Sequence, residues 1–79
     1  MPMFFFDVTD GYGPSRDDTG LEMPCAEAAR KEAVASLLSI GRNRIAPRYP
    51  SIAVDVRNDS DHVIFAAALS LNIIVQSDE

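Results

Sequence analysis

One stretch alone in this chain has both the composition and the spacing of a helix: CAEAARKEAVASLLSI, residues 25–40. Segments of strand character flank it on both sides. That arrangement limits the fold severely, because one helix with one apolar stripe can cover only one face of a sheet. Alanine is the strongest helix former, with Glu, Lys, Arg and Leu close behind. Ala26, Ala29, Ala33, Leu37 and Ile40 recur at spacings of three and four, and Val34 and Leu38 widen the stripe. Glu27 precedes Lys31 by four residues, the favourable order for a helical ion pair. Gly41 reads as the terminator, and Arg42, Arg44 and Arg48 fall where the helix dipole favours cations.

Before the helix, Met3 to Val8 are aromatic or β-favouring, with Phe4, Phe6 and Val8 on one strand face. Asp10-Gly11 and Gly13-Pro14 are turn signals, Ser15 to Asp17 can return as a short second strand, and DDTG (17–20) turns again. After the helix, APRYP (46–50) is a rigid connector. SIAVDVR (51–57) alternates cleanly, with Ile52, Val54 and Val56 inward and Ala53, Asp55 and Arg57 outward. NDSD (58–61) is a turn. Residues 62–76 read as one long last strand, with Val63, Phe65, Ala67, Leu69, Leu71, Ile73 and Val75 on one face. Ile64, Ala66, Ala68, Ser70, Asn72 and Ile74 share the other. FAAALSL alone is compatible with a helix, but its β-branched flanks and the preceding turn favour a strand. The expected fold is α+β: a single domain, ββαββ, with a four-stranded antiparallel sheet and one helix on one face.

Seventy-nine residues lie near the lower limit for a chain that must bury its own core, so self-association or a partner is a reasonable expectation. Seven basic against twelve acidic residues give a net charge of -5, which disfavours nonspecific phosphate and nucleic-acid binding. A single cysteine cannot staple the chain and points to a reducing compartment. The start, MPMFFFDVTD, lacks a basic leader, and VIFAAALSLNIIV (63–75) is too short to span a bilayer. A cytoplasmic protein with no membrane association is the expectation.

These segments look familiar together. MFFFDVTDG, DDTGLEMP, AEAARKEA and SIAVDVRNDSDHVIF resemble the domain of unknown function 6894, very short proteins of rhizobia and related Alphaproteobacteria. The resemblance runs over roughly residues 1 to 75. It rests most on Phe5-Phe6-Asp7, Asp10-Gly11, Gly20, Ala29-Arg30 with Ala33, and Val56-Arg57. Cys25 stands where that pattern often has an aspartate, and Asp61 where it often has a glycine. The family has no established activity, so the resemblance implies fold and lineage and carries over no catalytic residue.

The acidic stretch DVTDGYGPSRDD (7–18) raises the question of a metal loop. A calcium loop of the EF-hand type counted from Asp7 would put Tyr12 where glycine is required, and its ligand pattern fails too. Aspartate and glycine are also what tight turns need, so a hairpin is the better reading. Cys25, at the helix start, is the only candidate reactive thiol. One cysteine and one histidine, His62, do not make a zinc site in one chain. No serine stands in a nucleophile-elbow context, and no glycine-rich phosphate loop is present. Arg42, Arg44 and Arg48 are the best argument for an anionic ligand, but helix C-terminal charges reaching solvent explain them equally.

The leading expectation is a non-enzymatic interaction module. It would use its uncovered sheet face or a strand edge to self-associate, as a homodimer, or to dock on another protein. No catalytic, cofactor-binding or metal-ligating residue is assigned. The interface is placed at Leu69, Leu71, Ile73, Ile74 and Val75, at the apolar end of the last strand. The alternative is a small regulator or sensor: an antitoxin-like binder of an acidic partner, or a thiol sensor through Cys25.

Overall fold

The structure, a computed structural model, describes residues 1–45 and 50–76. Arg48 and most of the APRYP connector lie outside the described residues. The elements are β1 (Met3–Asp10), β2 (Gly13–Ser15), β3 (Leu21–Glu22), α1 (Ala26–Arg44), β4 (Ser51–Arg57) and β5 (Val63–Ser70). The sheet runs β2-β1-β4-β5 with every pairing antiparallel, and β3 also pairs with β1. This is the expected α+β order, but the strand expected at Ser15 to Asp17 is replaced by two short pieces on either side of residues 16–20, which makes five strands. β2 pairs with the end of β1 through Val8 opposite Ser15, and β3 with its start through Phe4 opposite Leu21. Residues 16–20 leave the ladder between them.

The alternation of β4 decides where the core lies. Ile52, Val54 and Val56 are buried on one sheet face, where Phe4 of β1 and Ala29, Ala33 and Leu37 of α1 meet them. Phe6, Phe65 and Leu69 are half-buried at the margin of that cluster. Each large side chain so buried contributes roughly 1.5–3 kcal/mol relative to exposure. Small residues on the helix stripe allow its backbone to approach the sheet closely.

Gly41 has a different role from the one its type suggests. The helix continues through it to Arg44, and Gly41 is itself buried. A Cβ there would lie 2.6 Å from Cδ2 of Leu69, so the missing side chain leaves room for the Leu69 side chain of β5 against the helix. Val34 and Leu38 do not widen the buried stripe. They lie about 100° around the helix from Ala33 and Leu37 and are 43% and 55% exposed. Among the described residues, no strand lies beyond β5 to cover them.

The last strand is also shorter than its sequence suggests. It ends at Ser70, opposite Ser51, and the N–H of Leu71 makes a final bond to the Pro50 carbonyl at 2.7 Å. A strand needs a neighbour, and β4 begins only at Ser51. Leu71, Ile73, Ile74 and Val75 therefore continue outside the ladder, all exposed. The expected face alternation fails at the other end, where a register shift at Val56/Arg57 pairs Arg57 with Val63 and leaves Ile64 between the paired positions. Ile64 then packs against the core and Val63 is 57% exposed, the reverse of strict alternation.

The helix begins at Cys25, whose extended backbone (φ -163, ψ 170) suits a cap but whose side chain makes no capping bond. Cys25→Asp would add an oxygen acceptor for the free N–H groups of the first turn. We expect a gain of about 1 kcal/mol, read as a higher chemical-denaturation midpoint. An unchanged or lower midpoint would show that the thiol does something the oxygen cannot.

Candidate functional site

Two features stand out on the surface left over by the core. The first is a network on the sheet face opposite the helix, organised by Arg57. Because Phe5 pairs with Arg57 and Asp7 with Asp55, these four side chains share that face. The Arg57 guanidinium grips Asp7 with both prongs, Nε to Oδ2 at 2.6 Å and Nη2 to Oδ1 at 3.1 Å. It also donates to Asp61 Oδ1 at 2.6 Å and to the Asp17 carbonyl at 2.8 Å, and it stacks 4.9 Å from the Phe5 ring centroid. Although it points away from the core, its side chain is only 8% exposed.

Residues 16–20 supply the cover. Asp7 Oδ1 accepts the Asp17 N–H, and Asp17 in turn accepts the N–H groups of Phe6, Thr19 and Gly20. Gly20 sits at φ 75 against the Phe5 ring, where a Cβ would lie 2.8 Å from Cε1. Conformation and space both require glycine there. Asp61 adopts φ 65, uncommon for a non-glycine residue, and its carboxylate is anchored by Arg57 and by Arg16 at 2.9 Å.

The acidic stretch is thereby explained as structure. Asp10 accepts the Tyr12 N–H at the β1–β2 turn and pairs with Arg44 at 2.7 Å, which also accounts for one member of the basic run. Among the described residues, no group of three or more His, Cys, Asp and Glu side chains is placed to hold a metal ion. Cys25 is exposed at the helix start and His62 is exposed after the β4–β5 turn.

The carboxyls of this network titrate below the ordinary value of 3.8. Asp7 is lowered chiefly by its hydrogen bonds from Arg57, against the opposing effect of partial burial. Burial is the largest influence on Asp17 and acts upward, but the N–H bonds from Phe6, Gly20 and Thr19 together outweigh it. Asp61 is lowered first by Arg16 and then by Arg57, and Asp10 by Arg44. Folded values below unfolded ones give stability that is fully present above pH ~4 and lost as pH falls through the lower folded values. We expect a flat melting temperature from pH 7 to 5 and a steep fall below pH 4, read by circular dichroism. A constant melting temperature down to pH 2.5 would contradict these pairings.

The second feature is the edge of β5, along which no further strand pairs among the described residues. At the other side of the sheet the edge is guarded: β2 has three residues, one of them Pro14, and β3 has two. β5 presents eight residues, VIFAAALS, without a charge or a proline. The bond from Leu71 N–H to Pro50 fixes its polarity, because N–H directions alternate along a strand. Phe65, Ala67 and Leu69 point their backbone groups at β4, and Ala66, Ala68 and Ser70 point theirs outward. Leu38, Leu69 and Leu71 line a shallow groove beside this edge, with Arg42 at its rim.

Of the residues expected at an interface, Leu69 is half-buried under the helix, and Leu71, Ile73, Ile74 and Val75 follow the strand end in the open. The structure places Leu71 beside Leu38, and Val34 beside Leu38 in a neighbouring groove; the helix stripe expected from sequence puts both helical residues in the core. No local signal marks the Arg57–Asp7 pair, whose members are 50 residues apart.

Fold and site define a class: small α+β proteins with one helix on one sheet face, an arginine–aspartate clamp on the other, and one open strand edge. Within that class the chain belongs to the family described as Domain of unknown function (DUF6894), whose model matches residues 3–70. No curated protein and no solved structure matches it. Among the described residues, no helix is long and apolar enough to cross a membrane.

Proposed function

We propose that the chain is a cytoplasmic, non-enzymatic protein-interaction module that self-associates through its sheet. One observation carries this reading: an eight-residue edge strand with neither charge nor proline, beside exposed Leu38, Leu71 and Ile73. Edge strands in natural proteins are usually blunted by charge, proline or shortness, because unpaired N–H and C=O groups recruit other strands. The β2 side of this sheet is blunted by shortness and Pro14, whereas β5 carries only the irregularity at its start, beside Val63. The small size of the chain adds a reason, since a 79-residue domain leaves much apolar surface near solvent.

Size-exclusion chromatography with light scattering at micromolar concentration tests the proposal. The expected mass is twice the 8.6 kDa of one chain. A single-chain mass across that range would defeat self-association.

A further inference from the structure

Resting on that reading, we infer that the partner at the β5 edge is a second copy of this chain. The two copies would join antiparallel about a two-fold axis at Ala68, in one continuous sheet, with their helices meeting over the seam. The register follows from the outward groups. Ala66, Ala68 and Ser70 carry the free backbone donors and acceptors, and placing Ala68 opposite Ala68 of the second copy uses all of them. Ala66 then faces Ser70, and Ser70 faces Ala66.

The position of α1 makes a second copy the fitting occupant. The helix packs over β4 and β5 and hardly over β1, so its axis lies above the pair at this edge. Neighbouring strands are about 4.8 Å apart, which puts the axis about one strand spacing from the seam. A two-fold axis perpendicular to the sheet keeps both helices on one face and separates them by about 10 Å, within the packing distance of two helices. The residues that would meet include the exposed apolar Leu38 and Val34, with Lys31 and Arg42 flanking them. Leu38 flanks Leu69 and Leu71 in the groove at this edge, which puts it next to the axis.

The area is sufficient. The exposed parts of Val34, Leu38, Leu71 and Ile73, with an eight-residue strand edge, come to on the order of 600 Å² per copy. The total of about 1,200 Å² is where stable interfaces begin. The opposite sheet face, with Thr9, Ala53, Asp55 and Ala66, offers no such second layer and carries a charge at its centre.

Single-cysteine variants distinguish these geometries. In a Cys25→Ser background, Leu38→Cys is expected to form a symmetric disulfide on mild oxidation. Helices about 10 Å apart with a Cα radius of about 2.3 Å bring facing Cα atoms to about 5.5 Å, within disulfide range. Ala53→Cys, on the open face, is expected to cross-link at least tenfold more slowly. Leu38→Glu, at an exposed position that folding does not need, is expected to weaken the dimer at least tenfold. Ala68→Pro removes one outward N–H without touching the β4 ladder and is expected to do the same. A dimer that cross-links faster through Ala53→Cys, or that ignores Leu38→Glu, would overturn this arrangement while self-association stands. A parent chain that remains single at micromolar concentration would overturn self-association itself.

Discussion

Arg57→Ala is expected to lower the melting temperature by about 10–20 °C, the consequence of breaking a desolvated ion pair in a small domain. The substitution removes four hydrogen bonds at once, to Asp7, Asp61 and the Asp17 carbonyl, and it uncovers the Phe5 ring. Asp7, with a side chain 23% exposed, would keep its charge but lose its partner. Arg57→Lys is expected to recover only a small part of the loss. An ammonium cannot reproduce the two-pronged contact or the planar stack on Phe5. The variant should also lose part of the steep acid transition, because Asp7 would no longer be held below its ordinary value by the guanidinium. Melts of parent and variants between pH 7 and 2.5 check both statements. A loss of only a degree or two would show the clamp to be a surface ion pair of little consequence.

Leu37→Asp is expected to unfold the chain or bring it close to unfolding. Leu37 is 5% exposed between α1 and the sheet, among Ala33, Ile52 and Val54. A carboxylate there has no cation to meet, and burying it costs about 4 kcal/mol or more. A domain of this length has a total stability of roughly 4–12 kcal/mol. The adjacent Leu38→Asp is the contrast. Leu38 is 55% exposed, so that variant should keep its helical circular dichroism and cooperative melting. Two neighbouring leucines with opposite outcomes would establish the rotation of the helix on the sheet. Equal losses at both positions, measured at a concentration where the parent is a single chain, would place Leu38 in the core after all.

Residues 25–40 and 51–57 carried their structure openly. A stripe at spacings of three and four can bury one side only as a helix, and strict alternation only as a strand. Those periods made the α+β class, the antiparallel sheet and most of the buried set legible: Phe4, Ala29, Ala33, Leu37, Ile52, Val54 and Val56. The turns at Asp10-Gly11 and after Arg57 were legible too, because aspartate and asparagine side chains accept backbone N–H bonds from two to four residues on.

The rest depended on neighbours that local pattern does not name. β5 ends at Ser70 because β4 offers nothing before Ser51, although the apolar residues continue to Val75. Gly41 resembles a helix stop, yet it is held inside the helix because Leu69 needs the space above β5. Val34 and Leu38 fit an apolar stripe in sequence and fall outside it in space, since the sheet ends beneath them. Arg57 and Asp7 were read as an outward cation and a turn aspartate, and became partners only when β1 and β4 paired across 50 residues. Short-range preference sets the period of each segment. Which groups find a partner, and which edge is left open, is decided by the strand order that brings distant segments side by side.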